Sequence, residues 1–314
     1  MSDIAANERQ VQLERQAHEA VSLTDVAGPR QSDGGIGGSM KHVVCFSGGK
    51  DSTALILWAR KNLREFTTVF CDTGFEHPIT YAYIEEINSR LLRGMLVTLK
   101  SEKYPTLIDC FLDHHMFPNG FQRYCTEDMK IEPLHRYFES LDDDVISYQG
   151  IRADESEKRK NMKAEEWVDA AGGYLIKRPM LKWTAENCFD DMQAAGIKPN
   201  PLYLMGASRV GCWPCIMANL RDMKNYLIST PEIRPRLIEL EARMLEKTGK
   251  QGRTFFRHGF IPDRFCSVKL EKEDGKIVAV PTVEDVFRYI ESVDIDQLPM
   301  FPAQSCMSVY NLCE

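Results

Sequence analysis

The turn SGGKDS, residues Ser47–Ser52, gathers residue types that bind phosphate at a predicted strand-to-helix boundary. Two adjacent glycines allow backbone N–H groups to point at one spot without interference from a Cβ atom. The amphipathic helix that is predicted to follow adds the positive partial charge of its N-terminus. This combination is an anion cradle, used most often for phosphate. It is not a Walker A loop, because that loop needs four residues between its first glycine and Gly-Lys-Ser/Thr.

Cysteines form the second group of residues whose side chains could carry out chemistry. Cys212 and Cys215, in the segment GCWPC, are three positions apart on a predicted turn, and Cys125 lies in a distant predicted helix. Three thiolates in this arrangement suit a metal ion or an iron–sulfur centre, and a structural zinc ion is the plainer alternative. Four further cysteines lie within apolar strand or helix patterns, which predicts small core residues: Cys45, Cys71, Cys110 and Cys188.

Strands and helices alternate from Met40 onwards, and this alternation predicts the frame that positions both groups. Short apolar strands (HVVCFS, FTTVFCDTG, GMLVTLKS and DDVISYQGIR) are separated by amphipathic helices such as PITYAYIEEINSRLL. The pattern favours an α/β fold, a doubly wound and mostly parallel sheet with helices on both faces. Ligands of such sheets bind beyond the carboxyl ends of the strands. The turns Ser47–Ser52, Asp72–Gly74 and Gly150–Arg152 are therefore expected to converge on one site.

Two further local patterns give structural predictions. Thr126 is expected to be the N-cap of the helix TEDMKIEPLHRYFESL. The Asp-Gly dipeptide in LEKEDGKIV predicts an exposed β-hairpin.

Length and composition bound the organisation of the chain. It has 314 residues, 43% of them hydrophobic, so it can bury a large core. We expect a flexible or helical arm over residues 1–39, a nucleotide-binding domain with the cysteines over 40–220, and a helical and hairpin extension packed on that domain over 221–314. The net charge of −7 gives no global basic field for nucleic acid. With no run of 18 apolar residues and no secretory signal, we expect a cytoplasmic protein with no membrane partner and reduced thiols.

The SGGKDS turn resembles the pyrophosphate loop, or PP-loop, of N-type ATP pyrophosphatases, which split ATP into AMP and pyrophosphate. The resemblance implies that Lys50 neutralises charge on the departing pyrophosphate and that Asp51 helps to position Mg²⁺. It also implies that N–H and hydroxyl groups of four residues hold the β- and γ-phosphates: Ser47, Gly48, Gly49 and Ser52.

Three further segments, in order along the chain, resemble the phosphoadenosine phosphosulfate (PAPS) reductase family, whose fold is adenine nucleotide alpha hydrolase-like. They are DTGFEHPITYAYI, GIRADESEKR and the run from RPMLKWT through NPLY to GCWPC. The resemblance extends from about Met40 to Cys215. It implies that Asp72 joins Lys50 and Asp51 as a catalytic candidate, and that the nucleotide is contacted by Thr73, Gly74, Gly150, Arg152 and Arg159.

The family resemblance also implies a [4Fe–4S] cluster. Cys125 matches the first cysteine of the family's Cys-Cys segment, Thr126 replaces the second, and Cys212 and Cys215 complete the match. The fourth ligand is left open by this replacement. Cys266 in PDRFCSVK is the first candidate, and the others are Cys306, Cys313 or an iron site that receives sulfide.

Two functions follow from the resemblance, and a third hypothesis comes from another class of protein. The chain lacks the Glu-Cys-Gly-Leu-His segment of sulfonucleotide reductases, and it keeps an intact SGGKDS loop. Both features favour an ATP pyrophosphatase similar to the ATPase of DNA phosphorothioation systems, using ATP, Mg²⁺ and the cluster to activate an oxygen for sulfur transfer. A cysteine desulfurase and nucleic acid are the partners implied, the latter through other subunits or a patch at Arg253, Arg257 and Arg264. The alternatives are a PAPS or adenosine phosphosulfate (APS) reductase, with Cys313 as a substitute nucleophile, and a non-catalytic nucleotide sensor.

Two other residues are candidates for contact with substrate. His77 lies in the DTGFEHP turn, close to the expected nucleotide, and Arg209 directly precedes the segment that carries Cys212 and Cys215.

Overall fold

The structure is a computed structural model and describes residues 40–294. The arm expected over residues 1–39 lies outside the described residues, as do residues 295–314 with Cys306 and Cys313.

Six strands form the central sheet of the described chain: β1 Lys41–Phe46, β2 Thr67–Cys71, β3 Val97–Leu99, β4 Val145–Tyr148, β5 Glu165–Val168 and β6 Tyr174–Lys177. Their order is β3-β2-β1-β4-β6-β5, and every neighbouring pair is parallel except β5 with β6. The strand order reverses beside β1, since β2 and β3 lie on one side of it and β4 and β6 on the other. A crevice for ligands is expected at such a reversal.

Helices surround the sheet and continue beyond it. They are α1 Lys50–Asn62, α2 Pro78–Leu92, α3 Leu107–Asp113, α4 Tyr124–Thr126, α5 Glu132–Ser140, α6 Glu157–Lys160, α7 Ala185–Ala194, α8 Pro201–Leu204, α9 Leu220–Ser229, α10 Ile233–Thr248 and α11 Val283–Ser292. A π-helical turn, Glu127–Ile131, joins α4 to α5, and 3₁₀ turns span Ala153–Glu155 and Asp263–Phe265. Within residues 40–294, no helix is both long enough and apolar enough to cross a membrane.

Apolar clusters lie on both faces of the sheet. On one face, α1, α2 and α7 pack against the strands through residues that include Leu55, Ile84, Met192, Phe46 and Ile146. On the other face, α5 contributes Leu134 and Phe138, which pack with Val43, Val69 and Ile176. Side chains alternate between the two faces of a strand, so adjacent residues such as Val43 and Val44 belong to different clusters. The predicted doubly wound fold is confirmed.

A third apolar cluster joins the end of the sheet to the C-terminal helices. It combines Phe75, Phe111 and Trp213 with residues of α9, α10 and α11 such as Leu237 and Phe287. A two-stranded hairpin, β7 Val268–Glu271 with β8 Ile277–Val280, forms around the Asp-Gly turn. The sequence predicted this hairpin. The division into 40–220 and 221–314 stays a prediction.

Two local predictions differ from the structure. Thr126 does not cap a helix: it has helical torsions (φ −77°, ψ −42°), because the helical segment already begins at Tyr124. The strand β5 is not predicted from the sequence, since two of its four residues are glutamates and three are exposed at the edge of the sheet. Its neighbour β6, also not predicted, extends the parallel part of the sheet.

Candidate active site

The SGGKDS turn connects β1 to α1 and is closed by its own hydroxyl groups. The Gly49 carbonyl accepts hydrogen bonds from the Thr53 N–H at 3.0 Å, the Thr53 hydroxyl at 2.8 Å and the Ser52 hydroxyl at 3.1 Å. The Ser52 oxygen accepts from the Ser47 N–H at 3.2 Å. Gly49 is the N-cap of α1 and has no side chain to occupy the helix terminus. The turn therefore has the form of an anion-binding helix N-terminus.

The helix α8 and its N-cap residue support this turn from outside the sheet. Gly48 has a φ of +80°, and a Cβ atom there would lie 2.9 Å from Cγ2 of Thr80. The Asn200 side-chain amide donates to the Gly48 carbonyl at 3.2 Å, across 152 positions of sequence. The Tyr203 hydroxyl accepts from the Lys50 N–H at 3.0 Å. The NPLY segment thus fixes the backbone of the loop.

Lys50, Asp51 and Arg152 form a buried charge network behind the loop. Asp51 is 0% exposed. One carboxylate oxygen lies 3.2 Å from the Lys50 ammonium, and the other accepts from Arg152 Nε at 2.7 Å. A Cβ atom at Gly150 would lie 3.0 Å from the backbone of Asp51, so glycine allows this close approach without displacing that backbone. Asp51 therefore orients two cations, and its contact with Mg²⁺ stays a prediction.

The Asp72–Gly74 turn follows β2 and places the partly buried carboxylate of Asp72 close to the buried carboxylate of Glu76. The Thr73 hydroxyl donates to Glu76 at 2.7 Å, and the Tyr81 hydroxyl lies 2.7 Å from Asp72 and 2.9 Å from Glu76. Burial acts to raise the pKa of Asp72, but hydrogen bonds from Tyr81, Gly74 and Lys100 outweigh it and lower that pKa. The turn therefore holds Asp72 as an ionised carboxylate.

One cavity lies at the carboxyl ends of β1, β2 and β4, and we call it the strand-end cavity. It is lined by Ser47 and Ser52 of the loop, by Gly150 and Arg159, and by Glu76. Two of the three predicted turns thus meet at this cavity, and the third contributes its neighbours Cys71 and Glu76. Cys45 and Cys71 also line it, although both were predicted to be core residues. Burial raises the pKa of Cys45 to about 11 and that of Cys71 to about 12, so both thiols are neutral near pH 7.

A second cavity, the cysteine cavity, is lined by Cys125, Cys212 and Cys215. The structure thus brings together three of the four predicted metal ligands. Burial raises the pKa of Cys212 to about 12, although the charge of Lys130 opposes this shift. Two further basic residues, Arg123 and Arg209, line the same cavity. Three thiols that share a cavity with three basic residues fit a group that binds as an anionic thiolate complex, as an iron–sulfur cluster does.

The other candidate ligands lie elsewhere. Cys266 is buried but is not among the residues that line the cysteine cavity, and the charged groups that act on it are Asp285 and Asp263. His77 is also outside both cavities. It is the N-cap of α2: its Nδ1 accepts from the Ile79 N–H at 3.0 Å, and its ring forms a T-shaped contact with the ring of Trp213, with the two centroids 4.5 Å apart. The position of His77 therefore suits packing better than contact with substrate.

Lys130 is a site residue that the sequence analysis missed. It lies in the π-helical turn, is 9% exposed, and lines both cavities, as Gly211 also does. A lysine between the apolar residues Met129 and Ile131, five positions after Cys125, was the available signal. Asn200 and Tyr203 were also missed as supports of the loop, because nothing local relates them to it.

Comparison with known proteins identifies the family. The profile of the phosphoadenosine phosphosulfate reductase domain matches residues 41–218, more than half of the chain. The chain belongs to the PAPS reductase domain family. All the residues named above in the SGGKDS turn, the charge network and the cysteine cavity lie within this PAPS reductase domain.

Individual proteins are also similar to this chain. A protein of Escherichia phage 186, described only as an uncharacterized 37.8 kDa protein, is 31% identical over 298 residues, covering 78% of this chain and 84% of its own length. An adenosine 5′-phosphosulfate reductase of Deinococcus radiodurans is 28% identical over 48% of this chain, and the match covers 56% of that enzyme. The PAPS reductase of Candida auris, solved as a phosphate complex, aligns with a TM-score of 0.43 at 16% identity, over 55% of this chain and 81% of its own. The family is an enzymatic one with sulfonucleotide reductases among its members.

Proposed function

We propose that this chain is a PP-loop ATP pyrophosphatase that activates a substrate oxygen for replacement by sulfur. The observation that carries the proposal is the charge network behind the loop. Asp51 is fully buried and fixes both Lys50 and Arg152, which places two cations beside a helix N-terminus. Such an arrangement suits a leaving group with several negative charges, since its stabilising groups are oriented before the reaction begins.

In the proposed reaction, N–H and hydroxyl groups of Ser47–Ser52 bind the β- and γ-phosphates of ATP. The substrate oxygen forms a bond to the α-phosphorus while the bond from that phosphorus to the bridging oxygen breaks, and pyrophosphate leaves with the electron pair. Lys50 and Arg152 compensate its charge. A sulfur nucleophile then displaces AMP from the activated substrate.

Two cofactors belong to this proposal. Both oxygens of Asp51 and of Asp72 already have partners, so we expect Mg²⁺ to be bound mainly by phosphate oxygens and water. Cys125, Cys212 and Cys215 would hold a [4Fe–4S] cluster, which would deliver or relay the sulfur. The proposal also includes two partners. A cysteine desulfurase would donate the sulfur, and nucleic acid would be the acceptor in a phosphorothioation complex. The exposed Arg257 and Arg264 offer positive charge for contact with the nucleic acid.

The test is anaerobic incubation of the protein with Mg²⁺ and ATP labelled at the α-phosphate. We expect AMP and pyrophosphate, and we expect Lys50→Ala to slow their release by about 100-fold or more, since it removes a charge that stabilises the transition state. Lys61→Ala is the matched control, because Lys61 lies at the other end of α1 and pairs with Asp191 on the surface. Equal release by the Lys50→Ala variant and the wild type would refute the proposal.

A sulfonucleotide reductase is the second candidate, favoured by the relationship to the reductase of Deinococcus radiodurans. It predicts that reduced thioredoxin is oxidised when APS or PAPS is added, with no consumption of ATP. The two candidates can therefore be separated with the same preparation of protein.

A further inference from the structure

A cluster of three potential metal ligands lies beside the cysteine cavity and is not part of it. Within residues 40–294, Cys110, His114 and Asp128 offer a sulfur, a nitrogen and an oxygen atom that all lie within 4.8 Å of one another. We propose that these three residues bind a single divalent transition-metal ion of the zinc class. This site is independent of the proposed ATP chemistry.

Local structure places the three residues together. Cys110 lies in α3 and His114 is the C-cap of that helix, so the two are four positions apart and project from the same side. This is the spacing at which two ligands on one helix can hold one metal ion. Asp128 comes from the π-helical turn Glu127–Ile131. Single π-helical turns within helices are frequent at functional sites.

The distances suit a mononuclear site. One oxygen of Asp128 lies 2.7 Å from His114 Nε2 and 3.7 Å from the Cys110 sulfur. In a tetrahedral zinc site the bonds to nitrogen and oxygen are about 2.0 Å and that to sulfur about 2.3 Å, so ligand atoms lie about 3.3–3.6 Å apart. The histidine and the carboxylate would have to separate by roughly half an ångström, which small rotations of two partly exposed side chains can supply.

The donor set selects the kind of metal. A thiolate and an imidazole favour zinc or a neighbouring first-row transition metal over Mg²⁺ and Ca²⁺, which prefer oxygen ligands. Cys110 is 0% exposed, whereas the side chains of His114 and Asp128 are 31% and 23% exposed. An ion could therefore enter from solvent past His114 and Asp128, and water could supply the fourth ligand.

Charge balance supports the assignment. The buried Cys110 thiol donates a hydrogen bond to the Asp128 carboxylate at 3.7 Å. A divalent ion would displace the thiol proton and neutralise one thiolate and one carboxylate, which leaves no net charge at the buried end of the site. The Tyr124 ring stacks on His114 at 3.7 Å and fixes the orientation of the imidazole. Such fixed orientation is typical of metal-binding histidines.

The experiment is a titration of the full-length chain, treated with a chelator, with Co²⁺ under anaerobic conditions. It is carried out in a Cys212→Ser background, so that the cysteine cavity contributes less thiolate signal. We expect about one Co²⁺ per chain with a sulfur-to-cobalt charge-transfer band that disappears in the Cys110→Ser variant. His114→Ala should weaken binding by at least about tenfold, since loss of even an indirect partner of a metal costs 10–100-fold. Asp128→Asn, which keeps the size of the side chain, should weaken it as well.

His115→Ala is the matched control, because His115 is the exposed neighbour of His114 and is not one of the three ligands. The affinity of the His115→Ala variant for Co²⁺ should equal that of the parent, the Cys212→Ser chain. The proposal is overturned if the parent binds no Co²⁺, or if the His114→Ala and Cys110→Ser variants titrate like the parent. It is also overturned if His114→Ala removes iron from the otherwise wild-type chain and leaves Co²⁺ binding unchanged, because His114 would then serve the cysteine cavity.

Discussion

Gly48 combines two constraints at a single residue of the loop. Its φ of +80° lies in the left-handed region, and a Cβ atom would meet Thr80 at 2.9 Å and Ile84 at 3.2 Å. We expect Gly48→Ala to lower the free energy of unfolding by about 2–4 kcal/mol, from left-handed strain and overpacking together. ATP binding should also be lost. Urea unfolding and equilibrium binding of labelled ATP would measure both effects.

Gly196→Ala separates these contributions, since Gly196 also has a positive φ (+66°) but nothing lies within 4 Å of its hypothetical Cβ. This control should lose only about 1–2 kcal/mol. Adding Thr80→Ser to Gly48→Ala removes the methyl group at 2.9 Å and should restore part of the stability. Equal losses for the two alanine variants would contradict the packing argument.

The cysteine cavity leads to a prediction for iron content. Cys125→Ser, Cys212→Ser and Cys215→Ser should each weaken cluster binding by at least about tenfold, because each removes one of the three thiols that line the cavity. Cys266→Ser should keep its iron, since Cys266 does not line this cavity. Iron and sulfide analysis of anaerobically purified protein would test this. Loss of iron in the Cys266→Ser variant would indicate that Cys266 is the fourth ligand of the cluster.

At the scale of elements, Asp285 joins α11 to the start of the hairpin. One of its oxygens accepts hydrogen bonds from the Ser267 N–H and hydroxyl, both at 2.8 Å, and from the Thr282 N–H at 3.1 Å. The residue is 1% exposed. Asp285→Asn should lower the free energy of unfolding by about 2 kcal/mol, because bonds to a buried charged acceptor are replaced by weaker ones.

Asp274→Asn is the control for this change, since Asp274 lies in the exposed hairpin turn and accepts only from the Lys276 N–H among the described bonds. It should cost less than about 0.5 kcal/mol, as most surface substitutions do. Chemical denaturation of both variants gives the comparison. Similar losses would show that α11 and the hairpin are joined mainly by apolar packing.

Some of the strands and helices could be predicted from the sequence and others could not. The helix Pro78–Leu92 and the strands β1, β2 and β4 have strong periodic or apolar patterns, and the structure has them where the sequence placed them. The strand β5 could not be recognised, because its side chains are exposed and its pairing with β6 is set by the sheet. The prediction of Thr126 as an N-cap is wrong. The helical segment begins two residues earlier, at Tyr124, and the local sequence does not show that earlier start.

The residues of the candidate site likewise include some that the sequence could identify and some that it could not. The three turns and the three cavity cysteines could be found because each is a short local motif. Lys130, Asn200 and Tyr203 could not be linked to the loop or to both cavities, because folding alone brings them there. Cys45 and Cys71 have apolar neighbours in sequence, and only the sheet shows that a cavity opens beside them.

For the molecule as a whole, His77 gives a pH dependence of stability. Burial, aided by the positive charge of Arg236, lowers the pKa of His77 to about 4. An unfolded histidine binds a proton near pH 6.5, so the unfolded chain gains protons first and stability falls as the pH drops from about 6.5 to about 4. Each bound proton contributes up to about 1.4 kcal/mol per pH unit within this window.

His77→Asn should reduce this slope without losing the helix cap, because asparagine can also accept the hydrogen bond from Ile79. The difference in slope between variant and wild type isolates His77 from the other titrating groups. Urea unfolding at several pH values from 7 to 4.5 would measure it. Parallel curves for the two proteins would show that His77 is protonated as readily in the folded chain as in the unfolded one.

The antiparallel strand at one margin of the sheet bears on how the protein behaves at high concentration. An uncovered strand can recruit a second chain through its unpaired backbone groups and start aggregation. Here β5 has four residues, and Glu165, Glu166 and Trp167 are all exposed. Both carboxylates form ion pairs, Glu165 with Lys177 and Glu166 with Arg178, so this margin presents charged side chains to a second chain. At the opposite margin β3 has three residues, too few for a long ladder. Both margins therefore discourage the growth of a continuous sheet between molecules.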